Sequence, residues 1–159
     1  MLQRGLAVTA VEILPEARAA LRDAGVEDVR SDVGALGPEE RFDTVLALMN
    51  GLGLCASLKE LGPFLARLGG LMTTGGQVLA DSTDPRAWDD PEDGRYPGEV
   101  HMQLGFGGLW GEPFPFLFVD ADMLRTVAAA HGLAVTVIAQ EDDARYLACI
   151  TRSGPPPAP

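Results

Sequence analysis

Short apolar runs alternate with helical patterns along the whole chain, and that alternation limits the fold more than any single residue does. Residues 6–11 are rich in β-branched side chains and read as a strand. Pro15 opens a helix, since at the first helical position its missing N–H costs little, and Gly25 supplies the stop. Ala17, Ala20, Leu21 and Ala24 form the apolar face of that helix. Residues 26–33 hold a second short strand. Residues 42–49 are apolar without polar alternation from Val45 onward, the pattern of a strand covered on both faces. Leu58, Leu61, Phe64, Leu65 and Leu68 recur at helical spacing, with Gly62-Pro63 placed to interrupt or restart the helix. Residues 77–80 follow a Gly75-Gly76 turn and read as another buried strand.

Residues 84–98 are dominated by Asp, Glu, Gly and Pro and read as a loop. Residues 100–106 and 114–119 then form two strands around a glycine-rich connection. Asp120 caps a helix whose apolar positions include Leu124, Val127 and Ala128. Asp122 near its start and His131 near its end suit the helix dipole, and Gly132 stops it. Residues 133–138 and 146–151 complete the strands. The pattern predicts an α/β three-layer fold with a mostly parallel sheet. The last two strands are antiparallel, because a parallel pair needs a crossover of a dozen or more residues. One domain spans residues 1–152, with 84–118 as a loop-and-hairpin insertion. A Pro-rich tail, residues 153–159, follows and lacks the donors to join a sheet or helix.

Charge narrows the function. With 12 basic and 23 acidic residues among 159, the net charge of −11 opposes a phosphate-binding surface and so a nucleic-acid substrate. No apolar run reaches the ~18 residues of a membrane span, and the start has no secretory apolar segment. Cys55 and Cys149 are too few for a disulfide framework and lack metal-site spacing. The expectation is a cytoplasmic domain with buried free thiols.

In open α/β sheets, ligands bind beyond the carboxyl ends of the strands. Glu12 follows the first strand, Asp32 falls near the end of the second, and Met49-Asn50-Gly51 ends the third. A carboxylate in the first position can accept both ribose hydroxyl protons of a nucleotide-like cofactor, and one a strand over can accept from an exocyclic amine. Glu12 also reads as a charge at a helix start, and Asp32 as a turn residue. Their placement at consecutive strand ends favours the cofactor. Elsewhere, His101 is either a general base or an edge histidine. Asp81, Asp84, Asp89, Asp90, Glu92 and Asp93 are either oxygen ligands or a solvated acidic loop, and their spacing fits no metal loop. Cys55 has no basic partner in the sequence to activate it.

The motifs occur in a family order. Residues 6–17 resemble the second strand and following helix of class I S-adenosylmethionine-dependent methyltransferases, and residues 28–33 resemble their adenine-contacting strand end. Residues 42–53 are similar to the family's fourth-strand motif. Residues 71–81 resemble its glycine-glycine turn into strand five, with Thr74 where Pro is usual. Tyr96-Pro-Gly-Glu-Val and the run from Gly111 to Asp120 look like a bacterial branch of methyltransferase-domain proteins. The resemblance covers roughly residues 4–152. It implies a Rossmann-like sheet, S-adenosylmethionine as cofactor and methyl transfer to a small-molecule acceptor. It further implies that Glu12 binds the ribose hydroxyls and Ile13 packs on the adenine. Asp32 and the Val33 backbone would address the adenine edge, and Met49 and Asn50 would flank the methyl-donor region.

The family's first strand and glycine-rich turn belong before Leu6, where five residues stand. The resemblance therefore implies a missing first strand and half a cofactor cradle, as in a fragment of a longer protein or a natural truncation. A non-catalytic binding or assembly module is the alternative, and a strand edge left open would favour a homodimer. A nicotinamide-dependent enzyme is a second rival, which lacks its Gly-x-Gly-x-x-Gly turn here. Trp88, Tyr96, Trp110 and Phe114 are expected either to wall an acceptor pocket or to pack within the insertion.

Overall fold

A computed structural model describes residues 1–88, 94–141 and 144–154. The chain divides into two units, residues 1–40 and residues from Arg41 onward. In the first, β1 (Thr9–Val11) is followed by α1 (Pro15–Asp23) and β2 (Asp28–Arg30). The helix carries the chain back so that the strands pair in parallel, Thr9 opposite Asp28 and Val11 opposite Arg30. Thr9 Oγ1 donates to Asp28 at 2.8 Å, and Arg30 pairs with Asp28 at 2.6 Å and with Glu40 at 3.1 Å. The guanidinium beside Asp28 holds its carboxyl below the usual range. Ala17 and Leu21 of α1 are half-buried while Ala20 and Ala24 are exposed.

The second unit contains β3 (Phe42–Ala47), α2 (Leu58–Gly70) and the long β4 (Met72–Thr83). The insertion supplies β5 (Glu99–Met102), β6 (Gly105–Phe106), β7 (Leu109–Trp110) and β8 (Phe114–Leu117). Then come α3 (Ala121–Ala130), β9 (Leu133–Gln140) and β10 (Arg145–Arg152). The strand order is β3-β4-β10-β9. The expected mostly parallel sheet is instead mixed: β3 and β4 are parallel, while β10 enters between β4 and β9 antiparallel to both. The tight connection from β9 turns the chain back beside itself, so β10 can only run the opposite way. That part of the expectation holds. β5 pairs with β8, and β6 with β7, as antiparallel ribbons of the insertion.

One face of the four-stranded sheet carries the core. Leu61, Leu65 and Leu68 of α2 and Leu124 and Ala128 of α3 pack on Val78 and Ala80 of β4 and Ala148 and Ile150 of β10. Both helices of this unit, α2 and α3, lie on that face. β3 is accordingly not covered on both faces: Val45 and Ala47 join the core, whereas Thr44 and Leu46 are exposed. The interruption expected at Gly62-Pro63 does not occur. Pro63 lies on the exposed side of α2, where water can satisfy the Lys59 carbonyl its ring leaves free. Gly62, by contrast, faces the His131 imidazole so closely that a Cβ would collide with it. β4 begins before the glycine pair rather than after it, because Gly75, at φ 81°, forms a bulge that shifts the β3 register without ending the strand.

The insertion is tied to the sheet at its base. Asp120 caps α3, its Oδ1 accepting from the N–H groups of Asp122 and Met123 at 3.0 Å each. Tyr96 donates to Asp120 Oδ2 at 2.5 Å and accepts from the Asp120 N–H at 2.9 Å. Asp89, Asp90, Glu92 and Asp93, the end of the Pro-rich tail and Asp142-Asp143 lie outside the described residues. Leu65→Ala, which opens a cavity at a fully buried site, should destabilise the protein by about 2–5 kcal/mol. Leu21→Ala on the half-buried face of α1 should cost under about 1 kcal/mol. Urea unfolding of the two variants checks the contrast.

Candidate functional site

In each unit, polar groups stand at the carboxyl ends of the parallel strands. In the first unit, Glu12 is the residue after β1, and its N–H still donates to the Arg30 carbonyl at 3.0 Å. Its Oε1 accepts from the Leu14 N–H at 2.8 Å, just ahead of α1. Arg18 reaches back from the helix to the carbonyls of Glu12, at 3.1 Å, and Ile13, at 2.7 Å, which fixes this corner. Ile13 is 75% exposed, an apolar side chain directly beside the carboxylate. Asp32 caps the turn Val33–Ala35: Oδ1 accepts from the Ala35 N–H and Oδ2 from the Ser31 hydroxyl, both at 3.0 Å. The parallel register of β1 and β2 brings Glu12 and Asp32 to the same end of one strand pair.

In the second unit, the chain leaves β3 through a strained corner. Met49 and Asn50 both have left-handed backbone, at φ 61° and 55°, a conformation that non-glycine residues adopt at a cost. Two hydrogen bonds from the neighbouring strand hold it. Asp81 Oδ1 accepts from the Asn50 N–H at 3.1 Å, and the Thr83 hydroxyl donates to Asn50 Oδ1 at 3.2 Å. The corner presents Met49, 90% exposed, at the carboxyl end of the β3–β4 pair. The sequence reading missed Asp81 in this role and grouped it with the acidic loop. The available signal was its position, five residues past the Gly75-Gly76 pair on a strand that follows β3. Asp84, from the same group, pairs instead with Arg86 at 2.6 Å, which lowers its pKa below the usual carboxylate range.

The insertion aromatics do not converge on one pocket. Trp88 meets Phe118 edge-on at 5.1 Å, Phe118 contacts Phe116 at 5.2 Å, and Phe116 contacts Phe114 at 6.2 Å. Tyr96 is bound to Asp120, and burial followed by that carboxylate raises its pKa. Trp110 stands apart on β7. Packing within the insertion is therefore the role of this set, apart from Trp110. His101 is exposed on β5 opposite Pro115. Cys55 is buried, which pushes its thiol up to about 11, while Cys149 is half-buried.

Neither a protein-family model nor a curated protein sequence matches the chain. Solved structures do. An S-adenosylmethionine-dependent methyltransferase from Bacteroides fragilis, crystallised with S-adenosylhomocysteine, is 29% identical and superimposes with a TM-score of 0.83. That match covers 96% of this chain and 66% of the relative, so the chain spans just under two thirds of its length. The methyltransferase CcbJ from Streptomyces caelestis is 15% identical with a TM-score of 0.69, covering 96% of this chain and 77% of its own. A sugar N-methyltransferase from Streptoalloteichus is 16% identical with a TM-score of 0.62, over 91% and 70% of the two chains. The chain resembles class I S-adenosylmethionine-dependent methyltransferases, as its motif order implies.

Asp81→Ala removes the acceptor that holds the strained corner. The Asn50 amide should then exchange with solvent about 5–30-fold faster, the equivalent of a lost hydrogen bond to a charged group at about 1–2 kcal/mol. Hydrogen-exchange mass spectrometry over residues 48–55 checks this. Cys55, buried and with its thiolate disfavoured at neutral pH, should react with a thiol reagent at pH 8 at least ~10-fold more slowly than an unfolded control. Its rate should climb as pH rises toward 11.

Proposed function

We propose that this chain belongs to an S-adenosylmethionine-dependent methyltransferase acting on a small-molecule acceptor, and that residues 1–152 form its methyltransferase-like domain. The observation that carries the proposal is Glu12, one residue past a parallel strand and fixed by Arg18 and the Leu14 N–H, with Asp32 at the adjoining strand end. The likeness to the Bacteroides fragilis enzyme over nearly the whole chain supports it. The residues fit the cofactor chemically. Glu12 uses Oε1 for Leu14 and can offer Oε2 and its remaining lone pairs to the ribose hydroxyls. Ile13 offers an apolar surface to the adenine. Both Asp32 oxygens are engaged by the turn, yet each keeps a lone pair for an exocyclic amine. The Val33 backbone adjoins it. Met49 and Asn50 would border the methyl-donor region.

When bound, the cofactor supplies an electrophilic methyl group on a sulfonium. The protein's own part is positional. Glu12, Ile13 and Asp32 would hold the nucleoside, and the corner at Met49-Asn50, braced by Asp81 and Thr83, would fix where an acceptor nucleophile approaches. An acidic surface favours a small acceptor over nucleic acid, and no helix among the described residues is long and apolar enough to cross a membrane. Free thiols suit a cytoplasmic setting.

We also infer that the strand standing between β1 and β3 in such enzymes lies outside these residues. Among the described residues β1 pairs only with β2, and β3 only with β4. The glycine-rich turn that would grip the cofactor's amino-acid end belongs with that strand. The experiment is titration calorimetry with S-adenosylhomocysteine on two forms: the chain as it stands, and one carrying an N-terminal strand and glycine-rich turn grafted from the Bacteroides fragilis relative. The extended form should bind at least ~100-fold tighter, as two or more charge-assisted hydrogen bonds are restored. Within it, Glu12→Ala should cost about 1.5–3 kcal/mol. An extended form that fails to bind overturns the reading, and an unaffected Glu12→Ala variant returns Glu12 to a helix-terminus role.

A further inference from the structure

The hairpin β6–β7 is the most exposed apolar feature of the second unit. Gly107 and Gly108, at φ 58° and 82°, make its two-residue turn, which only residues tolerant of left-handed backbone can form. Phe106 faces Leu109 across the ribbon, and Gly105 faces Trp110. Alternation puts Leu104, Phe106 and Leu109 on one side. Trp110 lies over the bare α-carbon of Gly105 on the other, where a Cβ would collide with its ring. Exposure is 91% at Phe106, 80% at Leu109, 71% at Trp110 and 63% at Leu104. A shallow concavity of about 400 Å³ is lined by these same side chains and the flanking glycines.

We propose that this hairpin is the contact through which two copies of the chain pair symmetrically. Three observations favour a second copy as the occupant. Leu104, Phe106 and Leu109 share one side of the ribbon and border, with Trp110, its shallow concavity, so this apolar face can meet a second copy of itself about a two-fold axis. Residues 102–111 contain no charged side chain in a chain of net charge −11, so two copies can approach there without the like-charge repulsion they meet elsewhere. Phe106, 91% exposed, alone presents roughly 140–230 Å² of apolar surface, and Leu104 and Leu109 on the same side extend that patch toward the ~800 Å² per partner of a standard interface. The contact is independent of the cofactor-binding reading.

The test uses the full chain in a Trp88→Phe background, which leaves Trp110 as its single tryptophan. Sedimentation velocity from 1 to 100 μM should show a shift from 16.8 kDa to twice that mass. The Trp110 emission should move to the blue with the same midpoint. Phe106→Ser and, separately, Leu109→Glu should shift that midpoint upward by at least 10-fold while leaving the urea unfolding midpoint in place. A monomer throughout the range overturns the proposal. So does a dimer that persists in both variants, or one abolished only by Leu46→Lys, which would assign pairing to the exposed side of β3. Trp110 emission that responds to phosphatidylcholine vesicles but not to protein concentration would assign the hairpin to a lipid surface and equally overturn it.

Discussion

Strand β4 is the support on which the second unit is built. It is hydrogen-bonded along both sides, parallel to β3 and antiparallel to β10, and its twelve residues serve two faces. Val78, Ala80 and Ser82 point toward the helices, where Ser82 Oγ also accepts from the Val119 N–H at 3.0 Å and anchors the approach to α3. Asp81, between them, points the other way and holds the Asn50 N–H. A slip of one residue would exchange these two sets and break the core and the corner together. The Gly75 bulge matters for the same reason: it absorbs the mismatch with β3 before the registered stretch begins.

Carboxylates do much of the local fastening in this acidic chain. Glu12 accepts from the Leu14 N–H, Asp32 from Ala35, Asp81 from Asn50, Asp84 from Arg86, and Asp120 from Asp122 and Met123. Glu99, on β5 of the insertion, accepts from Leu58 at the start of α2, where Ser57 makes no side-chain cap. Backbone N–H groups at turns and helix starts take the place of the scarce cations, and charge-assisted hydrogen bonds of this kind exceed neutral ones in strength. The negative charge is thus partly structural. Its uneven distribution also leaves the uncharged hairpin at residues 102–111 as a distinct surface.

Two strand ends, one in each unit, are built in the same way. At Glu12 a cation on the following helix, Arg18, ties down the carbonyls around the carboxylate. At Asn50 a carboxylate and a hydroxyl from the adjacent strand stabilise backbone that would otherwise relax. In each case the group that would meet a ligand is held by a neighbour that would not, which suits chemistry depending on alignment.

Local signals in the sequence determined the elements, because they rest on interactions within a few residues. Pro15 and Asp120 start their helices, Gly25 and Gly132 follow their ends, and Leu61, Leu65 and Leu68 form a buried face. Glu12, Asp32 and Asn50 could be placed at strand ends by the same means. Tertiary structure alone decided what each strand faced. The apolar run from Val45 carries no mark of an edge, yet helices on one side only leave Leu46 exposed. Gly62-Pro63 reads as a break until the exposure of Pro63 and the close approach of His131 to Gly62 are known. Asp81 looks like one acidic residue among several until pairing with β3 brings it to Asn50. Each of these depends on residues distant in the chain, and short-range spacing carries no record of them.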